Sequence, residues 1–296
     1  MAHRVKCCHP LIRLFSVGES SKNGKCGDLR KGVMLSDDPL RLDSSVGNSV
    51  VGRFFAVITT PMAKATITAI AHRGASGWAP ENTVAAFDAA LDVKCRAIEF
   101  DVRLSADGVP IVIHDETLDR TTNGRGRVAD ACWLDIRRLD AGSWKHRRFA
   151  GTRVPALEEA LQAISEHARP VIELKVRIDE RMLLDLLRRH DVLTQCVVMS
   201  FDADVLEALR RESTELRLFL LAENWKPDIA ERCRRMSFSG LVMPFAAWAL
   251  DRALAAGRSV EHTWAYQVND AAEVAACGAM GIEGVITDYP DLIRPH

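Results

Sequence analysis

In this 296-residue chain, ionisable residues gather where short apolar runs end. Glu99 and Asp101 stand two apart in AIEFDV, and the period of two in a β-strand turns both carboxylates to one face. Glu173 and Lys175 repeat the arrangement in PVIELKV, His72 and Arg73 close ITAIAHR, and His114 and Asp115 close PIVIHD. Buried parallel strands read as continuous apolar runs, so a charge inside or at the end of one needs a reason. One such pair alone reads as a solvated strand face, or as a salt bridge such as Lys175 to Asp101. Four strand ends of this kind read as one site. Carboxylates about 4 Å apart repel by roughly 4 kcal/mol at an effective dielectric near 20, so Glu99, Asp101 and Glu173 together call for a cation or for protonation. All-oxygen ligation without cysteine favours Mg²⁺ or Ca²⁺ over zinc.

The elements that must position these groups alternate between strand and helix. Strand candidates are ITAIAH, AIEFDV, PIVIHD, PVIELKV, CVVMSF, LRLFLLA, GLVMP, HTWAYQV and GVITD. Helix-length segments such as NTVAAFDAALDV, PALEEALQAISEHA, DERMLLDLLRRH, DADVLEALRRES and NDAAEVAACGA separate most of them. Several begin with Asn, Asp or Pro, as helix starts prefer. This alternation predicts an eight-stranded (β/α)8 TIM barrel over residues 62–296, with a doubly wound sheet as the other arrangement. Active sites of such barrels form at the mouth where the strands' C-terminal ends converge. Nine candidates compete for eight places, so one is accessory. The link SADGV is too short for a crossover helix, and its Asp107-Gly108 dipeptide predicts a tight turn between AIEFDV and PIVIHD.

Net charge is −1, with 39 Lys+Arg against 40 Asp+Glu. That balance gives no broad basic field for nucleic acid, and 48% hydrophobic residues exclude disorder of the whole chain. The charge is uneven: residues 1–61 carry a net +4 and the remainder a net −5. Residues 1–61 are Ser- and Gly-rich without sustained periodicity, and we expect a disordered N-terminal extension there. No apolar run reaches membrane-spanning length, and the most apolar stretch, SVVGRFFAVI, is broken by Arg53 and lies too far in for a secretory signal. The cysteines form no metal-type or redox-type pairs, which points to reduced thiols and a cytoplasmic location. A zinc site from Cys7, Cys8, His9 and Cys26 is disfavoured because its spacing matches no common one.

The run AHRGASGWAPENTVAAFDAAL, followed by IEFDVRLSADGVPIVIHDETLDRTTNGRG, VPALEEAL, IELK, AYQVND and GVITDYPD, resembles the glycerophosphodiester phosphodiesterase family from about residue 68 to the end. The resemblance implies a TIM barrel of the phospholipase-C-like phosphodiesterase type. It implies metal-dependent hydrolysis of glycerophosphodiesters, such as glycerophosphocholine or glycerophosphoethanolamine, to sn-glycerol 3-phosphate and an alcohol. Carried over residue by residue, Glu99, Asp101 and Glu173 match metal ligands, His72 and His114 match the catalytic histidines, and Arg73 and Lys175 match the cations that hold phosphate. The residue types suit that chemistry. Imidazoles titrate near neutral pH and can divide the two proton transfers, a divalent metal acts as Lewis acid, and guanidinium and ammonium groups bind phosphate oxygens.

Glu81 resembles a position close to the metal and phosphate, and reads equally as a helix-start acid with Asn82 or Thr83 as cap. Tyr266 falls where the family has an aromatic near the site, and core packing explains it as well. Asp115 reads as an orienting or turn residue, and His146, His167, His190 and His262 as surface or structural. Gln267 replaces a more usual Thr, and VMPFAAWAL matches no pattern, which leaves the alcohol preference open. The other functional readings are a lysophospholipase D or sphingomyelinase-D-like enzyme, and a catalytically inactive binding protein on the same barrel. The expected partner is a small-molecule diester, with no nucleic acid and no integral membrane segment.

Overall fold

A computed structural model of the chain describes residues 67–248 and 260–293. The extension expected over residues 1–61, with Cys7, Cys8, His9 and Cys26, lies outside the described residues. Eight parallel strands close into a ring: β1 (Thr68–Ala71), β2 (Ala97–Leu104), β4 (Arg169–Leu174), β5 (Val197–Ser200), β6 (Arg217–Leu221), β7 (Gly240–Pro244), β8 (His262–Tyr266) and β9 (Gly284–Thr287). β1 pairs with β9 on one side, Ile70 opposite Ile286, and with β2 on the other, Ala71 opposite Ile98. The ring excludes the open doubly wound sheet.

The ninth candidate, PIVIHD, is the accessory one. Its strand β3 (Pro110–Val112) runs antiparallel to the far end of β2, Val102 opposite Val112 and Leu104 opposite Pro110. Five linking residues cannot hold a crossover helix, so the chain turns at Asp107-Gly108, where Gly108 takes the left-handed conformation with φ 78°. His114 therefore does not end a barrel strand, as its place in PIVIHD had led us to expect. It returns to the mouth from beyond the rim, where the Ile113 N–H donates to the Asp101 carbonyl at 3.0 Å. The excursion continues to Pro155 around a small core of its own that includes Ile111, Ile113, Leu118, Val128, Ile136 and Val154.

Helices Val84–Asp92, Leu157–Ile164, Glu180–Arg189, Ala203–Glu212, Pro227–Arg235 and Ala271–Met280 pack outside the ring. Thr83, Asp179, Asp202 and Asp270 each cap a helix by accepting a first-turn N–H, a contact worth about 1 kcal/mol apiece. The cap of the first helix is thus Thr83, which leaves Asn82 for another task. The described part of VMPFAAWAL, residues 242–248, forms the end of β7 and the short helix Phe245–Trp248, and the buried Trp248 indole donates to the Trp264 carbonyl at 2.8 Å. Cys95, Cys196, Cys233 and Cys277 are buried free thiols and Cys132 an exposed one. No helix among the described residues is long and apolar enough to cross a membrane.

The barrel interior is filled by one or two apolar residues per strand: Ile70, Ala97, Val171, Val197 and Met199, Phe219 and Leu221, Val242, Trp264 and Ile286. Period-two alternation carries each of these columns toward the mouth. Two residues beyond Ile70 is His72, beyond Ala97 is Glu99 and then Asp101, beyond Val171 is Glu173, beyond Trp264 is Tyr266, and beyond Ile286 is Asp288. The apolar columns fill the core; their continuations build the site.

Candidate active site

Glu99, Asp101 and Glu173 are buried, and each offers a carboxylate oxygen within 4.8 Å of the others. The register sets this directly, since Asp101 and Glu173 are opposite residues on β2 and β4. Such crowding shows in the ionisation. Burial, then Asp101 and Glu173, push Glu99 well above the usual carboxylate range. Burial and Asp101 push Glu173 up to about 7. Burial also opposes ionisation of Asp101, but Arg73, Lys175 and His114 outweigh it and hold Asp101 below its ordinary value. Glu99 Oε1 is buried with no hydrogen-bond partner, an arrangement that strands a costly polar atom unless a cation meets it. Three convergent carboxylates, with Asp101 Oδ1 as well as Glu99 Oε1 buried and lacking a hydrogen-bond partner, are a donor set that fits a divalent metal.

Arg73 and Lys175 stand against this cluster. Lys175 Nζ donates to Glu173 and lies 3.0 Å from Asp101 Oδ1. Arg73 Nε is 3.2 Å from Asp101 Oδ2, and the Arg73 backbone N–H donates to Glu99 Oε2 at 2.8 Å. The turn that delivers Arg73 is tightly specified. Arg73 and Asn82 both have left-handed backbones, φ 56° and 58°, tied by a 3.0 Å bond from the Asn82 N–H to the Arg73 carbonyl. At the adjacent Gly74, φ 78°, a Cβ would come 2.6 Å from the Ala86 backbone carbon. Asn82 then clasps Asp101 twice, donating from Nδ2 to Oδ2 at 2.8 Å and accepting the Asp101 N–H at 3.1 Å.

Each histidine is held at Nδ1 by a carboxylate. His72 Nδ1 donates to Asp288 Oδ1 at 2.6 Å, and Asp288 also accepts from Ser76, Gln267 and Asn269 at 2.7–3.1 Å. Burial opposes the Asp288 charge, but His72, Gln267 and Ser76 overcome it and keep the carboxyl ionised. His114 Nδ1 pairs with Asp115 Oδ1 at 2.7 Å, and Arg103 Nε donates to the His114 carbonyl. Burial, helped by Arg73 and Lys175, lowers the His114 pKa and favours its neutral ring. Fixing Nδ1–H in each ring leaves Nε2 as the nitrogen open to an incoming group.

Arg120 joins the two sides of the mouth. It donates to both oxygens of Asp115, at 2.7 and 2.9 Å, and to both oxygens of Glu81, at 2.8 Å each. Glu81 in turn accepts from Arg73 at 2.6 Å, giving an unbroken chain Arg73, Glu81, Arg120, Asp115, His114. Glu81 thus lies behind Arg73 as its anchor, outside the first turn of helix Val84–Asp92.

A cavity of about 180 Å³ is lined by His72, Arg73, Glu99, His114, Glu173 and Lys175, and also by Tyr266 and by Gln267, whose amide nitrogen lies 3.2 Å from His72 Nδ1. Asp101 does not line it but pairs with Arg73 and Lys175, which do. Of the site residues expected from sequence, all but Asp101 and Glu81 line this one opening, and those two are held against Arg73. Of the remaining histidines, His146 caps a single 3₁₀ turn and His262 pairs with Glu283 at the opposite end of β8; neither lines the cavity. Sequence reasoning gave no role to Asp288 or Arg120, offered Asn82 only as a helix cap, and treated Gln267 only as a departure. For Asp288 a signal was present, two residues past Ile286 on an inward column. For Arg120 there was none, because its partners are brought near only by the fold.

The family model for the glycerophosphoryl diester phosphodiesterase family matches residues 72–292. A glycerophosphodiester phosphodiesterase of Bacillus subtilis is 32% identical over 258 residues, covering 77% of this chain and 85% of the relative. Among solved structures, an Oleispira antarctica phosphodiesterase in complex with the product sn-glycerol-3-phosphate superposes with a TM-score of 0.71 at 28% identity, covering 76% of this chain and 94% of that one. A glycerophosphodiester phosphodiesterase from Agrobacterium tumefaciens gives a TM-score of 0.69 at 34% identity, covering 77% and 99%.

Proposed function

The chain belongs to the glycerophosphoryl diester phosphodiesterase family, and from that premise we propose that it hydrolyses glycerophosphodiesters to sn-glycerol 3-phosphate and a free alcohol in a reaction dependent on Mg²⁺ or Ca²⁺. One observation carries this reading. Two imidazoles, each tethered at Nδ1 to a carboxylate, line the same small cavity as a buried carboxylate triad and two cations.

Glu99, Asp101 and Glu173 would hold the metal, whose chemistry is to polarise the phosphoryl oxygens and stabilise the charge that builds on them. Arg73 and Lys175 bind the non-bridging oxygens and orient phosphorus between the histidines. One imidazole accepts a proton from the attacking oxygen as the new P–O bond forms; the other gives a proton to the alcohol oxygen as its P–O bond breaks. General acid–base help of this kind is worth about 10²–10⁴-fold. Asp288 and Asp115 fix each ring's tautomer and direction, and Asn82 steadies Asp101.

Glycerol 3-phosphate release from a panel of glycerophosphodiesters, with Mg²⁺, Ca²⁺ or chelator present, tests the proposal. Product that appears only with metal is expected; no product from any diester would overturn it.

A further inference from the structure

The mouth of the barrel has two chemically different halves. β9, β1, β2 and β4 contribute Asp288, His72, the Glu99 and Asp101 pair, and Glu173. The columns on the other side continue as Phe201, two residues beyond Met199 of β5; as Glu223, two beyond Leu221 of β6; and as Tyr266, two beyond Trp264 of β8. Neither Phe201 nor Glu223 has a part in the proton transfers or in holding phosphate.

A diester has two arms on one phosphorus, and a cavity of about 180 Å³ is small for both. Across Phe201 and Leu221, which line both spaces, it adjoins a second cavity of about 410 Å³. The second cavity is acidic: Asp202, Asp204, Glu223 and Asp228 line it against only Lys226 and Arg232. Arg232 is already engaged by Asp204 at 2.6 Å and Glu207 at 3.0 Å. Glu223 makes no ion pair among the described residues, and its charge reaches the Tyr266 phenol, which burial chiefly and Glu223 secondarily push up to about 12.

Phe201, which lines both cavities, and Tyr266, which lines the smaller one, form an aromatic corner. The Phe201 and Tyr266 rings are nearly perpendicular, at 88° with centroids 6.2 Å apart. Phe201 is 45% exposed, unusual for a phenylalanine beside a buried site. Two π-faces at right angles beside an uncompensated carboxylate form a receptor for an organic cation, because ring quadrupoles attract an ammonium and the carboxylate neutralises it.

We propose that Phe201, Tyr266 and Glu223 form a subsite for the leaving alcohol, selecting diesters whose alcohol carries an ammonium or trimethylammonium group over those with a neutral alcohol. This rests on the phosphodiesterase reading and adds to it a substrate class. A glycerol or inositol arm would gain neither the π contact nor the countercharge.

The test compares kcat/KM for glycerophosphocholine and glycerophosphoethanolamine with that for glycerophosphoglycerol, using the Mg²⁺-loaded full chain and the variants Phe201→Leu and Glu223→Gln. Wild type should prefer the cationic diesters by about three- to thirtyfold, the range cation–π contacts span. Each substitution should shrink that ratio, Phe201→Leu most for the trimethylammonium substrate. A ratio near one in wild type, or a ratio that neither substitution moves, overturns the subsite while leaving the phosphodiesterase reading intact. Ligand-detected NMR of choline, read without turnover, separates the opposite case. Choline binding that weakens in both variants, in a protein that hydrolyses no diester, would sustain the subsite and remove the phosphodiesterase reading. Choline binding that is absent, or the same in all three proteins, counts against the subsite whatever the activity.

Discussion

His72 and Asp288 are 216 residues apart in sequence and share a 2.6 Å hydrogen bond across the β1–β9 seam of the barrel. The last strand of the ring therefore orients a catalytic candidate that lies just beyond the first. Because Ser76, Gln267 and Asn269 all donate to the same carboxylate, Asp288 is held in place before it meets the imidazole.

Replacing Asp288 by Asn should keep the shape and lose the charge that stabilises one tautomer of His72. By analogy with other carboxylate-oriented histidines, kcat should fall by about 10²-fold or more. Metal affinity, followed by calorimetry, should stay within a few-fold of wild type, since Asp288 is not in the carboxylate triad. Equal loss of metal and turnover would remove the orienting role.

Chelation should abolish turnover, and Mg²⁺ or Ca²⁺ should restore it. Binding to the folded state alone stabilises by about 2.7 kcal/mol at a hundredfold excess over Kd, so metal should raise Tm. Glu99→Ala should erase both the activity and the metal-induced rise. A Tm that responds to metal as strongly in Glu99→Ala as in wild type would displace the site.

The metal-free protein should lose stability as pH rises from about 4.5 to 7. Glu173 has a folded-state pKa raised to about 7 from an ordinary 4.5, so its stabilising contribution is complete below 4.5 and is lost as pH climbs through 7. Glu173→Gln carries no such proton and should show a flatter dependence over that window. Denaturant midpoints measured in chelator across the range check the sign.

Arg120 is 44% exposed, yet makes two bidentate carboxylate contacts. Arg120→Lys cannot reproduce both forks and should lower kcat by about tenfold while changing stability by less than about 1 kcal/mol, as suits a part-exposed ion pair. A variant with full turnover would show that Asp115 and Glu81 hold their positions unaided.

Removal of residues 1–61 should leave a folded, active enzyme, because residues 68–287 contain the nine strands found among the described residues and residues 72–288 all the site groups named above. Circular dichroism and glycerol 3-phosphate release on the shortened chain test this.

Much of this architecture was legible in the residue pattern. Apolar runs with ionisable ends marked the ring strands, and the two-residue period placed Glu99 with Asp101. Legibility stopped where chain proximity stopped. SADGV announced a turn, but PIVIHD looks like any barrel strand until its pairing with Val102 and Leu104 shows that it runs the other way. Asn82 looked like a helix cap because capping is a local event, whereas its bonds to Asp101 join residues 19 apart. Arg120 lies 39 residues from Glu81 and gave no local sign of its partner. Phe201 and Glu223 were readable in principle by extending each apolar column two residues past its strand.

The excursion from Ser105 to Pro155 has its own small core and joins the ring at its margins, through β2, through Lys145 on the Ser76 carbonyl at 2.7 Å, and through Arg120 on Glu81. A segment joined in this way should open before the ring does. Its opening would carry His114 away from the mouth and leave Glu99, Asp101 and Glu173 in place. On warming, hydrogen exchange should quicken there first, and catalysis should fail while the barrel's amides remain protected. The working temperature should then follow the stability of about fifty residues outside the ring, and stabilising the barrel alone should not raise it.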